Sequence, residues 1–600
     1  MPLYNATMQE VEQMVKSVGT GYPSIDRPWT SYYSQEALQD PLPDVSLYNY
    51  LKYCNRKNLD SYALNFQGRK LTFEELFKRI DMAARAFRAQ GVKPGDVVSV
   101  VTVACVPCVV TLYALNKIGA VVDFINVMST AKDLVKFIRT NKSRVVVSAD
   151  VFVSKVCLAS KALGVEHIIT FSMDDDLPLM RKVGKSFKAR STVDESYLLD
   201  PLVMPWDKFI ASGVNAEESA FTKDPETPAL LAHTGGTTGS PKTVLLSDNA
   251  MNAVASQYKY MFDVKPNEVF LDLVSPFVVY GSLINIHMPL CQHATVALVP
   301  RFDPQDWPEY FNKYRPNYIT CIPGYVASML KDPRMRNVNL EYLKILSVGG
   351  EYTSNTVETS LNKFLKAHRS KARLIKGYGM TEMSAAACTC FNGVNSLGSV
   401  GVPLPRNRLM IWDNEKNTEC KYNEIGEICF QGPGMMLGYV DEPEEMARLI
   451  RTHEGGEVWL HTGDLGYMNR RGLVHIVGRL KRVVLTTYKG VGYRVYPSVV
   501  EETLAQHPAV REACVVAMAD DRFGRTKAYV ALNDHNRVDE EEIERELRSY
   551  CKNEMSEYMC PVLYEFRASL PLTPAGKVDY RLLENLTTGS HSQHSMLHDT

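Results

Sequence analysis

Apolar residues along this chain recur at two spacings, one helical and one extended, and their alternation predicts an α/β protein. A capping-box pair, Thr72 and Glu75, opens a helix whose inward face is Leu76, Ile80, Ala83, Ala84 and Phe87, with Gly91 as its stop. GVKPGD then turns the chain into an apolar strand. VVVSA within 144–150 and HIITF at 167–171 read as further strands, separated by helical stretches at the spacing of parallel βαβ units. The run Val97–Asn116 carries no charge and is about long enough to cross a bilayer. Pro107 interrupts it and β-branched residues fill its first half, so a buried strand, a turn and a buried helix are expected instead.

The stretch Asp174–Asn215 is charged and irregular, and reads as an insertion or a connection between subdomains. YMNRRGLVHIVGR reads as a hairpin turning at Asn469–Gly472. Asp539 opens a helix with Ile543, Leu547, Tyr550 and Cys551 facing inward. The final TTGSHSQHSMLHDT has little to pack and is expected to be a disordered tail.

Composition narrows the class. Six hundred residues, 45% apolar and 22% charged, make an ordinary globular chain of two to four domains. Lys and Arg total 67 against 68 Asp and Glu, so no global charge draws the chain to nucleic acid or acidic lipid. Thirteen cysteines without framework spacing suit a reducing compartment, and Cys105/Cys108 and Cys388/Cys390 read as core thiols rather than zinc ligands. The N-terminus contains acids and no apolar core, unlike a signal peptide. A cytoplasmic protein with no transmembrane segment and no nucleic-acid partner is expected.

LAHTGGTTGSPKTVLLSDN at 231–249 carries the most chemistry. Glycines allow backbone N–H groups to turn toward an anion, hydroxyls donate hydrogen bonds, and a lysine adds charge, so a nucleotide phosphate is the natural ligand. Gly236, Lys242 and Thr243 fit Walker spacing, but Pro241 occupies the last glycine position. Proline has no N–H and a fixed φ, which argues against a P-loop.

This segment resembles the phosphate loop of the adenylate-forming superfamily: acyl- and aryl-CoA synthetases, nonribosomal-peptide adenylation domains and luciferases. Further motifs follow in family order: YGMTE at 378–382, GSVGVPLP at 398–405, WLHTGDLGY at 459–467, GLVHIVGRLKR at 472–482, HPAVREACVV at 507–516 and PLTPAGKVDY at 571–580. The resemblance is closest to a stand-alone acyl-CoA synthetase.

The resemblance implies roles residue by residue. Thr234, Gly235, Gly236, Thr237, Thr238, Gly239 and Lys242 would hold the β- and γ-phosphates. Thr381 and Glu382 would lie near the α-phosphate, with Glu382 as the Mg²⁺ ligand. Tyr378, beside Gly379, would stack on adenine, and Gly350 and Glu351 would form the adenine-side loop. Asp464 would accept hydrogen bonds from the ribose, with Arg479 at the sugar or a phosphate; the alternative reading of the pair is a buried Asp464–Arg479 salt bridge. Lys577 would bridge the α-phosphate and the substrate carboxylate, and Lys481 would be the pivot about which a small C-terminal domain turns.

The chain departs from the family pattern at several places. Thr243 replaces a frequent glycine, a change expected to alter loop flexibility more than chemistry. Asp248 replaces a frequent histidine and is assigned no role. Between Arg479 and Pro497 there are about four extra residues by motif alignment. In that loop Lys489, Gly490 and Arg494 suit either a nucleotide-bearing thiol or a plain basic surface. In SPFVVYGSLINIH the acyl-pocket candidates are Val278, Val279, Tyr280, Leu283 and Ile284, which core packing would also explain. No acid lies between Ser275 and His293, so a substrate ammonium would be unpaired there, and an uncharged acid is expected.

The expected fold is therefore α/β. A large multi-subdomain N-terminal domain with βαβ units, 1–480, would bind ATP and the acid. A small mobile α+β lid, 481–586, would carry Lys577, and 587–600 would be the tail. The expected activity is ATP- and Mg²⁺-dependent formation of acyl-AMP with pyrophosphate release, followed by transfer to CoA. The alternatives are loading of a carrier-protein phosphopantetheine and, from a different class, an inactive nucleotide-binding regulator.

Overall fold

Two parallel-cored sheets build the N-terminal part of the computed structural model. It describes residues 19–161, 163–177, 195–216, 221–234, 242–391, 393–489, 491–518, 524–533, 539–573 and 578–594. The eight-stranded sheet runs, from one edge, through Gly438–Tyr439, Lys242–Ser247, Pro228–Thr234, Val121–Phe124, Val97–Val101, Val145–Ala149, His167–Phe171 and Val203–Pro205. All pairs from Pro228–Thr234 onward are parallel, whereas the first two strands join antiparallel. The nine-stranded sheet has a parallel centre that includes Leu374–Tyr378, Ile345–Val348, Tyr318–Cys321 and Val269–Asp272. Strands buried on both faces need continuous apolar runs, and VVVSA and HIITF have them.

The helix Phe73–Ala89 begins at a full capping box between Thr72 and Glu75, and buries Leu76, Ile80, Ala83, Ala84 and Phe87. Such a cap contributes roughly 1 kcal/mol. Val97–Val101 is a strand and Val106–Lys117 a fully lined core helix, with Pro107 in its first turn where no N–H is needed. Among the described residues no helix is long and apolar enough to cross a membrane.

A six-stranded antiparallel sheet follows, and the expected hairpin at Asn469–Gly472 joins its strands Val458–Met468 and Val474–Arg479. Beyond it come a two-stranded hairpin, Val484–Tyr488 with Val491–Val495, and a three-stranded sheet covered by Pro497–Ala505 and Glu540–Glu554. Large α/β part and smaller C-terminal α+β part thus agree with the sequence reading.

Three local expectations need correction. The segment 174–215 is not wholly irregular: Val203–Pro205 extends the eight-stranded sheet and Trp206–Ser212 is a helix, whose buried Phe209 packs 4.7 Å from Phe87. Aromatic burial orders this part despite its charge. The expected disordered tail begins inside a helix, Tyr580–His594, because Thr587 is buried and its hydroxyl lies 2.8 Å from that of Tyr529. Tyr550 is half-buried, packing edge-on against His507, while Ile543, Leu547 and Cys551 are buried.

Candidate functional site

The strands around the glycine-rich loop end in register, Thr234 opposite Lys242. Gly235, Gly236, Thr237, Thr238 and Gly239 lie outside the described residues, as do Pro241 and Lys577. At the base of this hairpin, His233 Nε2 is 2.7 Å from Asp123 Oδ1, and its Nδ1 is 3.1 Å from the Thr243 hydroxyl. Asp123 is fully buried and also accepts from Ser99 and Asn141. Thr243 therefore anchors the loop's exit strand, a role beyond the change in flexibility expected of it. Asp248, left without a role in the sequence, is a buried helix-start residue that accepts from Leu47 N and Asn116 and pairs with Lys223 at 2.5 Å.

Lys242 points from the loop's end toward Glu445, with which it forms an ion pair, and its ammonium lies 5.1 Å from the centre of the Tyr439 ring. Tyr439 comes from the edge strand paired beside Lys242–Ser247. Its hydroxyl donates to Glu382 Oε1 at 2.6 Å. Burial, then the Glu382 charge, push that phenol far above its ordinary range, so it stays a donor.

Glu382 and Thr381 sit in the turn Thr381–Met383 after the strand Leu374–Tyr378. Gly379 makes this geometry possible, since a Cβ there would lie 2.0 Å from the Ala385 carbonyl oxygen. Glu382 is 7% exposed, and its backbone carbonyl is tied to Met436 N. With Oε1 held by Tyr439, Oε2 has no hydrogen bond among the described residues. A fixed carboxylate with one oxygen available is the donor a hard divalent cation takes, so Glu382 fits a Mg²⁺ ligand.

Tyr378, Asp464 and Arg479 meet at one place. The Tyr378 hydroxyl donates to Asp464 Oδ2 at 2.6 Å, and Arg479 Nε lies 2.8 Å from Asp464 Oδ1. Asp464 and Arg479 are cross-strand partners in the hairpin, which puts the salt bridge on the hairpin itself; Arg479 remains half-exposed. Behind them Glu427 accepts from Gly463 N at 2.9 Å and is 2.8 Å from His461 Nδ1. Glu427, Cys429 and His461 present possible metal-ligand atoms within 4.8 Å of one another. Glu427 is already satisfied by Gly463, His461 and Asn414, which makes this a buried support for the Gly463–Asp464 step of the strand Val458–Met468.

Gly350 and Glu351 follow the strand Ile345–Val348, with Gly350 at φ +82. Tyr280 faces this loop, its ring within 3.6 Å of a Cβ placed on Gly349. Tyr280 opens a π-helix, Tyr280–His287, which approaches the Val274–Ser275 backbone so closely at Gly281 that a Cβ would lie 2.3 Å from the Ser275 carbonyl. Of the other pocket candidates, Val279, Leu283 and Ile284 belong to the main hydrophobic core and Val278 is 40% exposed. The nearest upstream acid, Asp272, is fully buried, and burial raises its carboxyl well above the usual range.

Lys481 lies in the turn Leu480–Arg482 between the two parts. Its neighbour Arg482 is anchored in the C-terminal part by Glu501 at 2.5 Å and the Val515 carbonyl. Polar links across the junction are Ser498 Oγ to the Val477 carbonyl, Asn355 N to Glu502, and the Arg494–Glu415 ion pair. The stretch between Arg479 and Pro497 contains the hairpin 484–495, with Lys489 at its turn; Gly490 lies outside the described residues.

The sequence reading missed Tyr439, Glu445, His233 and Asp123. Only Tyr439 had a local signal, the Gly438-Tyr439 step after an apolar run.

A family profile described as "AMP-binding enzyme" matches residues 51–440, and one described as "AMP-binding enzyme C-terminal domain" matches 499–577. A long-chain-fatty-acid–CoA ligase of Bacillus subtilis is 29% identical over 576 residues, covering 94% of this chain and 99% of its own. A 4-coumarate–CoA ligase-like protein of Arabidopsis thaliana is 26% identical, covering 87% of each. Among solved structures, the anthranilate CoA ligase AuaEII in complex with anthranoyl-AMP gives a TM-score of 0.78 at 21% identity, covering 92% of this chain and 99% of its own. A benzoate CoA ligase from Burkholderia xenovorans gives 0.73 at 22% identity, covering 90% and 100%. The first profile spans more than half of the chain, and this protein belongs to the AMP-binding, adenylate-forming enzyme family.

Proposed function

We propose that this chain activates an uncharged carboxylic acid with ATP and Mg²⁺ and transfers the acyl group to CoA. The observation that carries the reading is the Tyr378–Asp464–Arg479 cluster, 2.6 and 2.8 Å in its two contacts, with Glu382 in the turn that follows the strand ending at Tyr378. A phenol ring, a carboxylate that accepts hydroxyl protons and a guanidinium are together a nucleoside site.

In the first step a carboxylate oxygen attacks the α-phosphorus, the bond to the bridging oxygen breaks, and pyrophosphate leaves. Two anions must approach each other, so cationic and N–H groups have to neutralise them. Lys242 exchanges Glu445 for phosphate oxygens. Glu382, steadied by Tyr439, is the residue that would hold Mg²⁺, which when bound supplies charge neutralisation at the phosphates. Lys577 bridges the α-phosphate and the entering carboxylate. In the second step the CoA sulfur attacks the acyl carbon and AMP departs with both electrons of the broken bond.

We assign 1–480 to ATP and acid binding and 481–586 to a lid that turns about Lys481 between the steps. Among the described residues the links named above across the junction are polar, as in an interface that can be exchanged for another. On the acid side, Tyr280 faces the Gly349–Gly350 loop, and burial disfavours the charged form of Asp272, the nearest upstream acid. The length-matched likeness to a long-chain-fatty-acid–CoA ligase supports an apolar acyl chain.

The test is product analysis. Full-length protein with ATP, Mg²⁺ and fatty or aromatic acids is offered CoA in one arm and a phosphopantetheinylated carrier protein in the other. Acyl-CoA formation is expected; acylation of the carrier alone would replace CoA as the acceptor.

A further inference from the structure

All thirteen cysteines are free thiols, and all but two are buried; the partly exposed pair is Cys54 and Cys560. Burial keeps thiols protonated and unreactive, and it pushes Cys560 up to about 11. Cys54 goes the other way. The Cys291 thiol, donating to the Cys54 sulfur, lowers it most; the Tyr50 hydroxyl and the charges of Lys259 and Arg56 add to this and outweigh burial.

Independent contacts fix the two cysteines beside each other. Cys54 lies near the end of the helix Leu47–Asn55, and Cys291 ends the helix Met288–Cys291. Asn55, next to Cys54, is fully buried and donates to the carbonyl of Leu290, next to Cys291, at 2.9 Å. Its Oδ1 is 3.0 Å from His293 Nδ1. The chain neighbours of the two cysteines thus clamp the two helices in a fixed register. Both sulfur-bearing residues, with Lys259 and Arg56, line one cavity of about 630 Å³ that opens to solvent. That volume admits a small organic molecule.

We propose that Cys54 and Cys291 form a modification site, a thiol pair that a low-molecular-weight disulfide oxidises to a reversible intramolecular disulfide joining the two helices. Cys54 gives its proton to solvent, and its thiolate attacks one sulfur of the small disulfide. That S–S bond breaks, a mixed disulfide forms, and one small thiolate leaves. The Cys291 sulfur then attacks the Cys54 sulfur and expels the second small thiolate, which takes the Cys291 proton. Two protein thiols lose two electrons and the small disulfide gains them. Cys54 attacks first because it is the exposed, thiolate-prone member, and Cys291 resolves. The cross-link pins the C-terminal continuation of the π-helix that carries Tyr280, Leu283 and Ile284.

The test uses reduced full-length protein and oxidised glutathione, followed by denaturing alkylation and peptide mapping by mass spectrometry without reduction. A Cys54–Cys291-linked peptide pair in most molecules, removed by dithiothreitol, is expected. Cys291→Ser should stop at a Cys54–glutathione adduct, and Cys54→Ser should leave Cys291 alkylated. The proposal is overturned if wild-type Cys54 and Cys291 are both recovered alkylated. It is equally overturned if wild-type protein accumulates the Cys54–glutathione adduct with Cys291 still free. The wild-type mapping decides the matter even where a variant fails to fold.

Discussion

Tyr439 donates its hydroxyl to Glu382 Oε1 at 2.6 Å while its ring lies under the Lys242 ammonium, 5.1 Å from ring centre to nitrogen. One side chain thus ties Glu382, the proposed Mg²⁺ ligand, to Lys242, the proposed phosphate-binding cation. A neutral donor to a buried carboxylate is worth roughly 1.5–3 kcal/mol. Tyr439→Phe keeps the ring and removes the bond. Acid-dependent pyrophosphate exchange should fall about tenfold or more, with a higher Mg²⁺ concentration for half-saturation. Unchanged Mg²⁺ dependence would separate Tyr439 from the metal ligand.

Asp464 holds both Tyr378 and Arg479. Asp464→Asn leaves the shape and removes the charge, so KM for ATP should rise about tenfold, the scale of one charge-assisted hydrogen bond. KM for the acid should change little. Steady-state exchange with each substrate varied in turn gives both constants, and a rise confined to the acid would contradict the nucleoside assignment.

Glu445 pairs with Lys242, and in the proposed reaction it would compete with phosphate for that lysine. Both side chains are about one-fifth exposed, so the pair is partly screened and worth under about 1 kcal/mol. Glu445→Gln should lower KM for ATP about two- to threefold in the same assay. A raised KM would mean that Glu445 positions the lysine rather than withholding it.

Little of this arrangement was visible in the sequence, although much of the fold was. The Thr72 capping box and the Val145–Ala149 and His167–Phe171 strands obey short-range rules, and each of them appears where the pattern put it. Asp464 and Arg479 were individually legible because each sits in its own motif, and the hairpin between them turns at Asn469–Gly472 as expected. Tyr439 and Glu382 are 57 residues apart, and Asp123 and His233 are 110 apart. Their contacts exist only because one sheet brings the strand Gly438–Tyr439 beside Lys242–Ser247 and Pro228–Thr234 beside Val121–Phe124. No local period encodes such neighbours. The 174–215 segment misled because charge was weighed over Trp206 and Phe209, which fold it onto the core.

His287 supplies a pH dependence. Asn252 donates through Nδ2 to the Val45 carbonyl, so its Oδ1 faces His287 and accepts from Nε2–H at 2.9 Å; Nδ1 then accepts from the Tyr113 hydroxyl at 2.9 Å. Burial lowers this imidazole from 6.5 to about 3. Between those values the unfolded chain binds a proton that the folded chain does not, so stability falls as pH falls from about 6.5 toward about 3, by up to ~1.4 kcal/mol per pH unit. His287→Gln should reduce the slope of unfolding free energy against pH by up to that amount in urea titrations at pH 6 to 4. An unchanged slope would mean that His287 is protonated in the folded state.

Lys577 is proposed to serve the first half-reaction and not the second. Lys577→Ala should lose most acyl-AMP formation and still transfer the acyl group of supplied acyl-AMP to CoA, with both steps measured in single-turnover assays. Equal loss in both, from folded protein, would remove Lys577 from the adenylation step.

The most direct measurement is acid-dependent exchange of labelled pyrophosphate into ATP, across short, medium and long-chain fatty acids, aromatic acids and amino acids. It isolates acyl-AMP formation and requires no acceptor thiol. Strong exchange with one class of uncharged acid is the expected result. Exchange with amino acids alone, or none with any acid from folded protein that binds ATP, would contradict the account.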